Sequence, residues 1–137
     1  MPSKTAITAL VLALSLALQG HAVAADEEAV ANAKARLEAA TKVYEDLWKR
    51  AEADPARYPL DFDKLCTWSA RWMEAQRDAA ANADAKTKAV EDHLARVKDI
   101  GKLAKDLAKK GFTVGYDIAI TDYYRLEAER LKAREKK

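Results

Sequence analysis

The chain has 137 residues, and its 24 basic side chains nearly balance its 22 acidic ones. Both signs are interspersed along the whole chain, and because nucleic acids and anionic membrane surfaces favour a basic patch or stripe, neither is indicated as a partner. The one cysteine, Cys66, excludes an internal disulfide, so packing must hold the fold without a covalent link.

The first 24 residues have the organisation of an export signal. Lys4 precedes an apolar run over residues 6–18, and Ala22-Val23-Ala24 supplies the small residues that a signal peptidase reads. We therefore expect cleavage between Ala24 and Ala25 and a mature protein that is periplasmic or secreted. An uncleaved anchor is the alternative, but it needs about 20 apolar residues, more than this run contains. Lipid anchoring is not expected, because it needs a cysteine directly after the cleavage site, and Cys66 lies far downstream.

The remaining residues, 25–137, suit a single domain. Ala, Lys, Glu, Leu and Arg dominate, Gly and Pro are scarce within the long segments, and no stretch shows sustained alternation of β-branched residues. This composition predicts an all-α fold, either an antiparallel helical bundle or a long helical hairpin, with coiled-coil-like heptads.

A first helix is predicted over residues 26–53. Asp26 and its acidic neighbours favour the start of a helix, and Pro55 ends it. Its apolar positions alternate spacings of three and four, which is the heptad seam of a helix packed along its length against another. These positions are Val30, Ala33, Leu37, Ala40, Tyr44, Leu47 and Ala51.

A second helix is predicted over residues 62–81. Asp61 is the expected N-cap, and Leu60 can meet Leu65 as a hydrophobic staple. Cys66 and Met73 are expected at the margin of the apolar stripe. The stripe itself again follows three-four spacing and includes two tryptophans one turn apart: Leu65, Trp68, Trp72, Ala75 and Ala79.

The apolar signal lapses over residues 81–84, where a turn and an unbroken polar stretch of helix are both open, with Asp84 as the cap after a turn. A third helix is predicted over 85–110, with Gly111 as its stop, and a fourth over 114–134, capped by Thr113. Separate helices predict an up-and-down bundle, whereas a continuous middle predicts a three-helix hairpin. The apolar stripes are Val90, Leu94, Val97, Ile100, Ala104 and Leu107 in the third helix and Ile120, Tyr124, Ala128 and Leu131 in the fourth.

His93 and Cys66 are the side chains best suited to chemistry. His93 has no Cys or second His at ligand spacing, so a solvated or half-buried histidine is favoured over a metal or acid–base role. Cys66 as a nucleophile would need His93 as its base, and nothing in the sequence aligns the two. Cys66 can also form an intermolecular disulfide, although a buried inert thiol is favoured. The sequence predicts no catalytic residue, metal site or cofactor.

Trp68, Trp72 and Tyr124 are the candidate contacts for a ligand or a protein partner, with Tyr123 beside them. Their helical spacing favours packing in the core over an exposed aromatic surface. Arg71 flanks the tryptophans and is placed to stack on a ring.

Several segments resemble known proteins. The motifs WSARWMEAQRD, EDHLARVKDI and DYYRLEAERL resemble segments of uncharacterised secreted helical proteins of bacteria, which implies export and helicity but no site residues. Residues 111–128, with a glycine turn, Thr113, Asp117 and a long helix, resemble a helical hairpin of TolC-like outer-membrane efflux proteins. The sequence lacks the amphipathic membrane strands of that family and is too short for its tunnel subunit, so this likeness implies a coiled-coil hairpin and no transport function.

The leading hypothesis is an exported, noncatalytic helical protein that acts through helix-face contacts with itself or with an envelope partner. The alternative is a bundle that binds or scavenges a small ligand in an aromatic core pocket near Trp68, Trp72 and Tyr124. An enzyme ranks third, because no catalytic set is recognisable. Neither a nucleic-acid partner nor stable membrane insertion after signal cleavage is expected.

Overall fold

The fold is described from a computed structural model. The described backbone covers residues 4–54, 60–113 and 115–135, and the described side chains begin at residue 26. The backbone in those ranges is all-α, as predicted. Among the residues whose side chains are described, from residue 26 onward, no helix has an apolar stretch long enough to cross a membrane. The helices are α1 at Lys4–Ala53, α2 at Phe62–Ala79, α3 at Ala83–Lys109 and α4 at Gly115–Glu135.

The first helix begins earlier than predicted. It starts at Lys4 instead of Asp26 and passes through Ala24 and Ala25 without a break. Ala and Leu, which are frequent in this segment, have high helix propensity. The side chains of the predicted signal peptide, residues 1–24, lie outside the described residues, so export and cleavage stay predictions. The chain divides into two compact units, Met1–Asn32 and Ala33–Lys137. In the first unit the described side chains are all exposed, and the second unit contains the bundle.

The second helix begins as its sequence predicts. Asp61 has an extended backbone, and its Oδ1 accepts the N–H of Lys64 at 2.9 Å. This bond satisfies one of the donors that the start of a helix leaves free. Leu60 packs against the core cluster that contains Leu65, as a hydrophobic staple requires.

The middle of the chain is broken into two helices, which confirms the bundle over the long hairpin. Ala80 is extended and ends α2. Asn82 caps α3, because its Oδ1 accepts the N–H of Ala85 at 2.9 Å. The predicted cap at Asp84 is therefore wrong. The helix begins directly after Asn82, and Asp84 lies in its first turn.

The third helix ends in a Schellman motif centred on the predicted stop, Gly111. Its φ is +78°, in the left-handed region that favours glycine. The N–H of Gly111 bonds the carbonyl of Ala108 at 3.0 Å, and the N–H of Phe112 bonds the carbonyl of Leu107 at 3.0 Å. These two bonds satisfy carbonyls that the helix end would leave free.

Thr113 lies in the connection between α3 and α4. Its hydroxyl donates to the carbonyl of Ala104 in α3 at 3.1 Å. This bond holds the connection against α3. The cap of α4 by Thr113 stays a prediction, because residue 114, between Thr113 and α4, lies outside the described residues.

The bundle in the second unit is antiparallel, with helices running alternately up and down. In each pair of consecutive helices, the start of one helix lies beside the end of the other. The pairs that show this are Arg36 with Asp78 at 2.9 Å between α1 and α2, Met73 with Ala89 and Val90 between α2 and α3, and Glu91 with Lys132 at 2.9 Å between α3 and α4.

The predicted stripes of α1 and α3 form the core. Every stripe residue of α3 is buried, and the α1 seam is buried or half-buried from Ala33 to Ala51. In α2 the prediction was wrong for two residues, because Cys66 and Met73 lie at the centre of the core, with exposures of 0% and 4%. The helix packs against both α3 and α4, so it buries two faces where the stripe indicated one.

The glycine stop gives a prediction about stability. Replacing Gly111 with Ala forces a side chain into the left-handed region and should lower the free energy of unfolding by about 1 kcal/mol, measured by urea unfolding. Gly115, the first residue of α4, is the matched control: it has no positive φ, and an added Cβ meets no atom within 4 Å. Gly115→Ala should leave stability unchanged or raise it, and equal losses in the two variants would contradict the prediction.

Candidate functional site

Three polar side chains meet inside the bundle, between α2 and α3. Ser69 Oγ and His93 Nδ1 are 2.9 Å apart, and both residues are buried. Arg96 donates from Nε to Ser69 Oγ at 3.0 Å and from a terminal nitrogen to the Ser69 carbonyl at 3.3 Å. We refer to Ser69, His93 and Arg96 as the polar cluster.

The guanidinium of Arg96 also lies over two aromatic rings. Its central carbon is 4.0 Å from the centroid of the Trp72 ring and 5.9 Å from that of Tyr44, both within the range of a cation–π interaction. The two ring centroids are themselves 5.4 Å apart. Trp72, a candidate ligand contact, is therefore engaged by Tyr44 and Arg96 inside the bundle.

The environment of His93 fixes its protonation. Burial, followed by the nearby charge of Arg96, lowers the pKa of His93 from 6.5 to about 4, so the ring is neutral near pH 7. Because Ser69 Oγ already accepts from Arg96, its own proton can go to Nδ1 as acceptor. His93 is only 3% exposed, so the expectation of a solvated or half-buried ring was wrong. Ser69 is fully buried and cannot meet a substrate, so the pair is not a nucleophile and its base.

Cys66 lies in the core, one turn before Ser69. Burial, reinforced by the charge of Asp63, raises the pKa of the thiol to about 12, and the residue is 0% exposed. A protonated, enclosed sulfur is a poor nucleophile and a poor metal ligand. The base considered for it, His93, bonds Ser69 instead. Burial at this position supports the inert thiol over the intermolecular disulfide.

The other aromatic candidates lie at different places. Trp68 lines a groove of about 370 Å³ between α1 and α2, where Arg71 lies 4.6 Å from its ring centroid. Tyr124 lines a cleft of about 320 Å³ between α2 and α4, with Tyr123 beside it. All three candidates pack against one core cluster, but Trp68 and Tyr124 line different pockets, and Trp72 lines neither of these two.

The outer face of α4 carries a second apolar line that the sequence analysis missed. Tyr116, Tyr123 and Leu126 are 67%, 61% and 56% exposed, and Ala119 between them is exposed as well. We call these four residues the outer strip. They repeat at spacings of three and four, on the side of α4 opposite its buried Thr121 and Ala128. That spacing was the signal available in the sequence, but it was hidden because α4 is apolar on both faces.

The described residues form no metal site, and the comparisons with known proteins give no relative. Within the residues that the structure describes, no group of His, Cys, Asp or Glu could hold a metal ion. Comparison with protein-family models, with curated proteins and with solved structures found no match.

The neutral His93 predicts a pH dependence. Its pKa is lower in the folded state, so as the pH falls below 6.5 the unfolded state gains a proton that the folded state takes up only near pH 4. The free energy of unfolding should therefore drop by about 2 kcal/mol between pH 7 and pH 5. His93→Gln keeps an acceptor for Ser69 and removes the titration, so urea unfolding should show a flatter profile in this range. Identical profiles for the two proteins would refute the assignment.

Burial of Cys66 predicts slow thiol chemistry. Ellman's reagent should react with the folded protein at least about a hundred times more slowly than with the protein in urea, because the thiol must first be exposed and ionised. The measurement is the absorbance of the released thiolate over time at constant pH. Fast reaction of the folded protein would contradict the placement of the sulfur.

Proposed function

We propose that this chain is an exported, noncatalytic helical protein that acts by contact between the outer strip of α4 and another protein of the cell envelope. The observation that carries the proposal is the exposure of Tyr116, Tyr123 and Leu126 along one line. Large apolar side chains in a row on an exposed face mark an interaction site, and three-four spacing suits contact with another helix. Export is inferred from the signal-like residues ahead of Ala25.

The sequence predicted a helix-packing seam on α1, but the proposed contact surface is the outer strip of α4. Ala33, Ala40, Tyr44 and Ala51 of that seam are buried in the bundle. Its heptads therefore serve packing within the chain. The outer strip has no such cover, since its large side chains are all more than half exposed.

The charges beside the outer strip favour a different protein over a second copy. With Tyr116 and Tyr123 at heptad position a, Asp122 takes position g and Glu127 takes position e. Antiparallel copies would bring Asp122 against its equivalent, and parallel copies would bring it near Glu127. Like charges at such positions oppose association. Within α4, Asp122 and Glu127 pair with Arg125 and Arg130 at 3.5 and 3.3 Å. A partner with apolar residues and no carboxylates beside these positions fits the strip better than a second copy.

A noncatalytic role is supported by the state of the reactive side chains. Ser69 and His93 are enclosed and bonded to each other, and Cys66 is enclosed and protonated at neutral pH. Ser69 and Cys66 are 0% exposed and His93 is 3% exposed, which supports structural roles for all three.

The proposal is tested by photo-crosslinking in cells that make the protein. A benzophenone side chain at position 126 should give one discrete adduct in the envelope fraction, and the crosslinked chain should begin at Ala25. The same group at Lys102, an exposed position on α3, is the control and should not give that adduct.

The partner identified in this way should then lose affinity for a strip variant. Leu126→Asp should raise the Kd of the purified partner about tenfold or more, while thermal unfolding stays unchanged because Leu126 is 56% exposed. Lys102→Asp should leave the Kd unchanged. The same adduct from both positions, or unchanged affinity in Leu126→Asp, would overturn the proposal.

A further inference from the structure

The cleft between the start of α2 and the face of α4 combines aromatic rings with one carboxylate. It has a volume of about 320 Å³ and is lined by Asp63, Tyr116, Ala119, Ile120, Tyr123 and Tyr124. Two of its tyrosines, Tyr116 and Tyr123, belong to the outer strip. The cleft therefore forms the N-terminal end of that strip.

The aromatic corner of the cleft is fixed by contacts within the chain. The rings of Tyr123 and Tyr124 lie edge to face, with centroids 5.6 Å apart and planes at 84°. The hydroxyl of Tyr124 donates to Asp63 Oδ1 at 2.9 Å and lies 3.1 Å from the hydroxyl of Thr67. These bonds hold the ring and the carboxylate in one arrangement before any ligand arrives, which reduces the entropy lost on binding.

The charge of the cleft is negative and comes from one group. Asp63 is exposed and, among the described residues of the lining, is the only charged one. Among the residues that the structure describes, the bond from Tyr124 reaches Oδ1 and none reaches Oδ2. The neighbouring cation, Lys64, lines a different groove, together with Leu47 and Arg50 of α1. Within the described part of the chain, the lining therefore offers tyrosine rings and a carboxylate and no cation.

This combination selects for positive charge on an apolar body. The face of a tyrosine ring attracts a cation through its quadrupole, and alkylated ammonium groups are recognised by aromatic rings in this way. A carboxylate beside the rings adds an attraction for a full charge, and Ala119 and Ile120 accept methyl or methylene groups. An anion would meet repulsion from Asp63, and a neutral apolar molecule would gain nothing from it.

We propose that this cleft binds an alkylammonium group, held by the rings of its tyrosines and the carboxylate of Asp63. The group belongs either to a free small molecule or to a lysine side chain of the partner. The proposal deepens the proposed function, and only its partner-borne form rests on that function, because the cleft exists in the isolated protein.

The test is an NMR titration of the protein with choline and with 3,3-dimethylbutan-1-ol, a neutral molecule of nearly the same shape. Choline should shift the ring signals of Tyr116 and Tyr123 with a Kd in the millimolar range, and the neutral molecule should bind about fivefold or more weakly. Asp63→Asn and Tyr123→Leu should each weaken choline binding about two- to fivefold. Tyr116→Phe keeps the ring face and is the conservative control, with affinity retained.

The outcomes separate this proposal from the proposed function. Equal binding of the charged and neutral molecules, or no ring shifts with either, would overturn the cation site and leave the outer strip untouched. Leu126→Asp lies outside the cleft lining, so it should keep choline binding while it weakens the protein partner.

The source of the cation is settled by a second titration, with the lysine analogue Nα-acetyl-lysine methylamide. Binding at least as tight as that of choline supports a lysine of the partner, and then Asp63→Asn should also weaken the partner. Binding of choline alone supports a free ligand.

Discussion

The interior of the bundle depends on how one half-buried cation, Arg96, is satisfied. Arg96 donates twice to Ser69 of α2 and lies against the rings of Trp72 and Tyr44, so it joins α3 to both α2 and α1. Burial lowers the pKa of the guanidinium. Removing a charge from water costs several kcal/mol unless its donors and its charge find partners. These contacts therefore favour the one register of α1, α2 and α3 that provides them all.

The same packing explains why one face of α4 remains exposed. α2 is covered by α3 on one side and by α4 on another, which places Cys66 and Met73 at the centre of the core. α4 approaches the bundle through Thr121 and Ala128, whose small side chains allow close contact. Tyr116, Tyr123 and Leu126 are then exposed on the opposite face. The proposed contact surface thus arises because one face of α4 is enough to close the bundle.

Helix formation and packing group charged residues that are mixed along the sequence. Four lysines, Lys98, Lys102, Lys105 and Lys109, line one groove between α3 and α4, whereas the cleft beside Tyr123 has a single carboxylate. Helical spacing brings together residues that are three or four apart and separates neighbours. The lysine groove also contains Asp106 and Asp122, which pair with Lys109 and Arg125 at 3.3 and 3.5 Å, so it is not a purely basic surface.

The sequence by itself determined the helices of the bundle, the cap at Asp61, the stop at Gly111 and the buried stripe of α3, because these depend on backbone and spacing within one segment. It did not decide whether the helix breaks near residue 81. It favoured Asp84 over Asn82 as the cap of α3, since neighbouring polar residues compete for the same N–H groups. It did not find the bond from Ser69 to His93 or the cleft beside Asp63. Only the tertiary structure decided those, because each joins side chains at least 24 residues apart, whose meeting depends on how the helices pack.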